Sequence, residues 1–199
     1  MNKYWSYTVP GIHDGAFTRG KVPMTKQEIR ALAVCRAKLA PELTVWDVGA
    51  GTGSLTVEAA LFTPGGQVFA VEKNEDGIDL IHKNCARFGV EQVTVVSGNA
   101  PEALEDLPAP HRVFVGGSGG KLREILDVCA EKMLPGGIVV LSLISPRNMA
   151  YALQRLAAAP FSELDGVYVQ ASRLDTLGQE QFFRATNGVW LLSAKKEAR

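Results

Sequence analysis

Three glycines at alternate positions, Gly49, Gly51 and Gly53, stand between the apolar run 45–48 and the start of a helix, in the stretch VWDVGAGTGSLT. A residue without a β-carbon tolerates positive φ in a tight turn and lets a ligand approach the main chain. The helix that follows would aim its free amides and positive dipole end over that turn. This chemistry suits a small nucleoside cofactor that carries an anionic group, and Ala50 and Thr52 join the three glycines as expected contacts. The dinucleotide fingerprint is G-x-G-x-x-G and serves a pyrophosphate, whereas the spacing here is the shorter G-x-G-x-G. About twenty residues on, a second apolar run ends in Glu72, whose carboxylate can accept both hydroxyls of a ribose. Glu72 supports an adenosine ligand without choosing between the two kinds of cofactor.

The compact glycine spacing, preceded by Asp47 and followed by Ser54 and Leu55, resembles motif I of the class I S-adenosylmethionine methyltransferases. The resemblance implies S-adenosylmethionine as cofactor, its methionine half wrapped by the loop. Gly98, Asn99 and Ala100 fall where that family usually sets an acidic residue against the adenine amino group. The Asn99 side-chain carbonyl can accept that hydrogen bond without charge assistance. It would serve equally as a turn former. Further on comes Val115-Gly116-Gly117-Ser118-Gly119-Gly120. Loops at the carboxyl ends of strands in a doubly wound sheet form the ligand crevice, so Gly117, Ser118 and Gly119 are expected to border the substrate. Four glycines there leave a floor that a broad flat molecule can approach. The Asn/Asp-Pro-Pro-aromatic tetrad of methyltransferases acting on base amino groups is absent.

Strand and helix patterns alternate from Thr44 onward, which predicts an α/β fold with a doubly wound, mostly parallel sheet covered on both faces. Strands are expected at 45–48, 67–71, 92–96, 112–115, 138–143, 167–171 and 189–194, seven in all, with a polar loop before an antiparallel last strand. Ile78, Ile81, Cys85 and Phe88 form one helical stripe, and Leu122, Ile125, Leu126, Cys129 and Met133 form another. Thr25-Lys26-Gln27-Glu28 fits a capping box with Thr25 as N-cap, and a late helix is expected over 148–158. The whole chain, 1–199, reads as one domain. It divides into an N-terminal segment and helix over 1–43, a cofactor-binding core over 44–145, and a closing helix and strands over 146–199.

Lys plus Arg and Asp plus Glu number 21 each, so the overall field gives no reason to expect a nucleic-acid partner. No apolar run is long enough for a membrane span. Cys35, Cys85 and Cys129 are far apart and odd in number, which predicts reduced core thiols in a cytoplasmic protein. His13, His82 and His111 lack ligand spacing, so no metal site is expected.

A more specific resemblance rests on Gly11-Ile12-His13-Asp14 with Phe17 and Arg19, and on Val22-Pro23-Met24-Thr25-Lys26. It rests also on the run from Gly98 to Leu104, on VGGSGG, and on the tail from Phe182 to Val189. Together these resemble the decarboxylating precorrin methyltransferases of cobalamin biosynthesis over most of the chain. The resemblance implies methylation of carbon 15 of precorrin-6B or cobalt-precorrin-6B with decarboxylation of the ring C acetate, a tetrapyrrole substrate and a homo-oligomer. It adds Thr25 as a cofactor contact. Arg19 and Lys26 are candidates for the substrate's carboxylates, with Lys21, Lys121 and Arg147 on the expected rim. No residue is assigned a catalytic acid or base role, since the macrocycle can take up the electrons itself. His13 and Gly188 each replace a proline common in that family and are expected to loosen the backbone. The alternatives are a class I methyltransferase acting on RNA or protein, a NAD-dependent oxidoreductase lacking its longer glycine spacing, and a cofactor-binding module without turnover.

Overall fold

The structure, a computed structural model, describes residues 4–197. Seven strands form one sheet: β1 (Thr44–Val48), β2 (Gln67–Glu72), β3 (Val93–Ser97), β4 (Arg112–Val115), β5 (Ile138–Leu143), β6 (Phe161–Val169) and β9 (Val189–Lys196). Their order is β3-β2-β1-β4-β5-β9-β6, with every pair parallel except those made by β9, which runs antiparallel to both neighbours. The helices are α1 (Gln27–Ala37), α2 (Ser54–Phe62), α3 (Glu75–Phe88), α4 (Leu122–Lys132) and α5 (Pro146–Leu156). Trp46, Val48 and Leu141 turn to the face covered by α4 and α5, while Val45, Val68 and Val140 turn to the face packed by α1 and α2. Burial on both faces explains why these strands read as continuous apolar runs.

Three sequence expectations need correction. The segment taken as a polar loop is a separate hairpin, β7 (Ser172–Leu177) paired antiparallel with β8 (Glu180–Ala185) across Gly178 at φ +64. Its alternation is inverted, because Leu174 and Phe183 face outward as a cross-strand pair while Arg173 turns toward the body. The N-cap position of α1 is Lys26 and no side chain caps it, so the Thr25 box does not form. Its other half, Glu28, is drawn away by Arg173, whose Nε and second guanidinium nitrogen donate to the two carboxylate oxygens at 3.0 and 2.6 Å. Cys35 is exposed and Cys85 half-buried, leaving Cys129 as the fully buried thiol. At the two replaced-proline positions, His13 Nδ1 accepts from the Gly15 amide at 3.1 Å, and Gly188 lies where a β-carbon would overlap the ring of Tyr168.

The N-terminal segment is held by buried charge. Arg30, 0% exposed, donates to Glu58 at 2.9 Å and to Asp14 at 2.8 Å, and it also reaches the carbonyls of Ile12 and Thr25. Glu58 accepts in addition from the amides of Gly11 and Ile12. Removing one member of such a set would strand the others without water. Arg173 extends it by pairing with Asp14, so a single run of ions joins α2, α1, the N-terminal segment and the β7–β8 hairpin.

Candidate active site

A cavity of about 550 Å³ lies at the carboxyl ends of β1, β2 and β4, within the size range of small-molecule sites. Its wall is drawn from distant parts of the chain: the segment before α1 and the first turn of α1, the turn after β1, the end of β2, the turns after β3 and β4, the end of β5, the connections on either side of the hairpin, and the first residue of β9. Of the residues expected from sequence, Thr25, Gly49, Ala50, Gly51, Glu72, Asn99 and Ala100 line it. So do Lys26, Gly117, Ser118 and Gly119. Three others do not. Thr52 is buried beneath the turn, its carbonyl accepting from Asn84 at 2.8 Å, and Gly53 lies against α3. Arg19 is an exposed residue outside the wall, as are Lys21 and Arg147, and Lys121 is engaged by Glu102 at 2.5 Å.

The glycine turn has the expected backbone, with φ of +73, +58 and +73 at Gly49, Gly51 and Gly53. Its missing side chains also let parts of the protein pack close. A β-carbon at Gly49 would stand 2.6 Å from the Gly117 α-carbon, one at Gly51 would stand 3.2 Å from the Pro23 carbonyl, and one at Gly53 would stand 3.0 Å from the Ile81 α-carbon. The alternate spacing therefore admits three pieces of the protein: the loop after β4, the N-terminal segment and helix α3.

Glu72 is held in place by main chain. Its carboxylate accepts from the amides of Gly51 at 2.8 Å, Lys73 at 2.9 Å and Asn74 at 2.9 Å. Two carboxylate oxygens offer about four acceptor positions, so at least one remains for a ribose hydroxyl. Beneath the turn Asp47, 2% exposed, accepts from the Thr56 hydroxyl at 2.6 Å. Burial pushes its pKa up to about 6, the Glu72 charge adds to the rise, and the Thr56 bond opposes it. The Cys85 thiol is pushed up to about 12 by burial and by the Asp47 charge, which leaves it unreactive at neutral pH. A fixed carboxylate at the β2 tip, the Asn99 amide and a main-chain turn free of side chains form a donor and acceptor set that fits S-adenosylmethionine.

Residues 15–196 match the family described as precorrin methyltransferase domain. The chain belongs to this family. This precorrin methyltransferase domain is 38% identical over 185 residues to the cobalt-precorrin-6B C(15)-methyltransferase (decarboxylating) of Salmonella typhimurium, covering 92% of the chain and 95% of that relative. Its structure is similar to the precorrin-6y C5,15-methyltransferase of Geobacter metallireducens, with TM-score 0.89 and 35% identity over 96% of this chain and all of the other. It is similar also to the precorrin 8W decarboxylase of Methanobacterium thermoautotrophicum, with TM-score 0.84 and 31% identity over 94% of this chain and 98% of the other.

Sequence reasoning missed several wall residues: Lys73, Ser142, Ile144, Ala171, Thr186, Asn187 and Val189. Thr186 and Asn187 carried a signal, since the tail that contains them was part of the resemblance. Lys73 follows directly on Glu72 and was legible from that position alone.

Proposed function

We propose that this chain methylates carbon 15 of cobalt-precorrin-6B and releases the carboxyl of the ring C acetate as carbon dioxide. The observation that carries the reading is where the family-specific segments lie: Val22 to Lys26 and Gly116 to Gly119 wall the same cavity as the glycine turn. When bound, S-adenosylmethionine supplies an electrophilic methyl group on a sulfonium. Gly49, Ala50 and Gly51 would take its nucleoside against the main chain, Glu72 would accept from a ribose hydroxyl, and Asn99 Oδ1 would accept from the adenine amino group beside Ala100. The Thr25 hydroxyl would complete this shell. Thr52 and Gly53 shape the turn from below. Gly117, Ser118 and Gly119 form the floor for the macrocycle, with Lys26 near its carboxylates.

Positioning is the chief task for these residues, and alignment of reacting atoms is worth on the order of 7–11 kcal/mol. Decarboxylation breaks the bond from the acetate methylene to its carboxyl carbon and leaves the electron pair in the conjugated macrocycle; the methylene then takes up a proton to become a methyl group while methylated carbon 15 gives one up, so the two proton transfers balance and no net acid is consumed. Among the described wall residues the two carboxylates are already engaged, Glu28 by Arg173 and Glu72 by main-chain amides. We assign the protein to the cytoplasm, a reading supported by its three free thiols; no described helix is long and apolar enough to cross a membrane. The same reading treats 1–199 as one methyltransferase domain and includes a homo-oligomer, which light scattering after gel filtration would measure. An RNA or protein substrate gains no support from the relatives. Incubation with cobalt-precorrin-6B and methyl-labelled cofactor, followed by mass spectrometry, tests the proposal. A product one methyl heavier and lacking the carboxyl is expected; methylation without carbon dioxide loss, or no methylation, would overturn it.

A further inference from the structure

Lys73 follows the end of β2, and the loop containing Gly119 follows β4. In the sheet these strands lie on either side of β1. Yet a β-carbon built on Gly119 would stand 3.3 Å from Lys73 Nζ. The lysine side chain therefore reaches past the tip of β1 and ends against the loop that floors the cavity. Gly119, at φ +56, leaves the ammonium room to do so.

The charges around the cavity are unevenly matched. Glu28 is paired with Arg173, and Glu72 is taken up by three main-chain amides. Lys26 and Lys73 line the same wall, and neither forms an ion pair with a described residue. An ammonium held only by water gives up that hydration most readily to a carboxylate, because the resulting bond is charge-assisted on both sides. Two such groups at one mouth select a ligand with several carboxylates.

We propose that Lys73 is a specificity-determining residue that, with Lys26, grips carboxylates of the incoming tetrapyrrole above the Gly116–Gly119 floor; this rests on the reading of the site as a tetrapyrrole methyltransferase. The lysine acts on the substrate and leaves the cofactor contacts to Glu72 and Asn99.

The test compares wild type, Lys73→Met, Lys73→Arg and the exposed α3 control Lys83→Met. Cobalt-precorrin-6B is titrated by its own absorbance in the presence of S-adenosylhomocysteine, and S-adenosylhomocysteine alone is titrated by calorimetry. Loss of one charge-assisted contact should raise the macrocycle Kd and KM of Lys73→Met about 10-fold or more, with kcat within about 3-fold and the S-adenosylhomocysteine Kd within about 2-fold. Lys73→Arg should recover most of the loss and flatten none of the salt dependence, while Lys83→Met should match wild type. Macrocycle binding by Lys73→Met equal to wild type would overturn the proposal, as would an equal loss of S-adenosylhomocysteine affinity. If wild type itself neither binds nor methylates the macrocycle, the functional reading fails and this inference with it; if wild type turns over and Lys73→Met is unchanged, the inference alone fails.

Discussion

Asp47 sits under the cofactor turn with its carboxyl pushed up to about 6 from an ordinary 3.8, chiefly by burial. Between those values the folded chain keeps a proton that the unfolded chain has already released. This group therefore stabilises the fold fully below its unfolded pKa, and the contribution is lost as pH rises through about 6. About two pKa units correspond to roughly 3 kcal/mol. Asp47→Asn cannot ionise, so urea unfolding of both proteins should show their stability difference shifting by roughly 3 kcal/mol toward the variant between about pH 4 and about pH 7. A difference that is flat with pH would refute the assignment. A second residue-level coupling joins Gly188 to Tyr168, whose ring packs at a tilt against Trp190, 5.1 Å between centroids. Gly188→Ala should cost roughly 1 kcal/mol and change the tryptophan signal, and a double-mutant cycle with Tyr168→Ala should recover most of that cost. Independent, additive effects would show that the overlap is not felt.

Among the elements, the β7–β8 hairpin has little core of its own, and an isolated two-stranded hairpin is at best marginally stable in water. Arg173 supplies its attachment, through Glu28 and Asp14. Arg173→Leu should expose residues 172–185 to limited proteolysis and lower stability at pH 7 by roughly 1–2 kcal/mol, discounted for the partial exposure of the Glu28 pair. Asp14 is held below the usual carboxylate range because hydrogen bonds from Arg30 and Arg173 outweigh its burial, and Glu28 is held low chiefly by its Arg173 hydrogen bonds. Their contribution is present above the unfolded pKa values and lost as pH falls through the folded ones, so the gap between wild type and Arg173→Leu should narrow below about pH 4. Proteolysis confined to other segments would contradict this attachment. The hairpin is also the element that sequence reading lost. The buried strands were legible because both of their faces are apolar, but β7 and β8 turn Arg173 inward and Leu174 and Phe183 outward, which reverses the pattern a strand is recognised by. Thr25 misled for a similar reason, since Glu28 answered a partner 145 residues away.

For the molecule as a whole, a ligand that binds only the folded state stabilises it by mass action. S-adenosylhomocysteine at about 100 times its Kd should add about 2.7 kcal/mol, a rise in Tm of roughly 5–10 °C for a chain of this size. A thermal melt reads it directly, and NADH at the same concentration should leave Tm unmoved; equal shifts would remove the basis for the cofactor assignment. At this scale the glycine turn, Glu72 and VGGSGG were legible because their residue types carry chemistry. Ser142, Ile144 and Ala171 were not, because only the fold brings such ordinary side chains to the wall. That wall takes Val22 to Ile29 from near one end of the chain and Thr186, Asn187 and Val189 from near the other, with β9 threaded between β5 and β6. On the ribosome, the turn that greets the nucleoside emerges long before the last of its surroundings. A nascent chain thus has no finished chamber until β9 has been released and inserted, so a prematurely terminated product would carry the methyltransferase signature without the means to hold its reactants together.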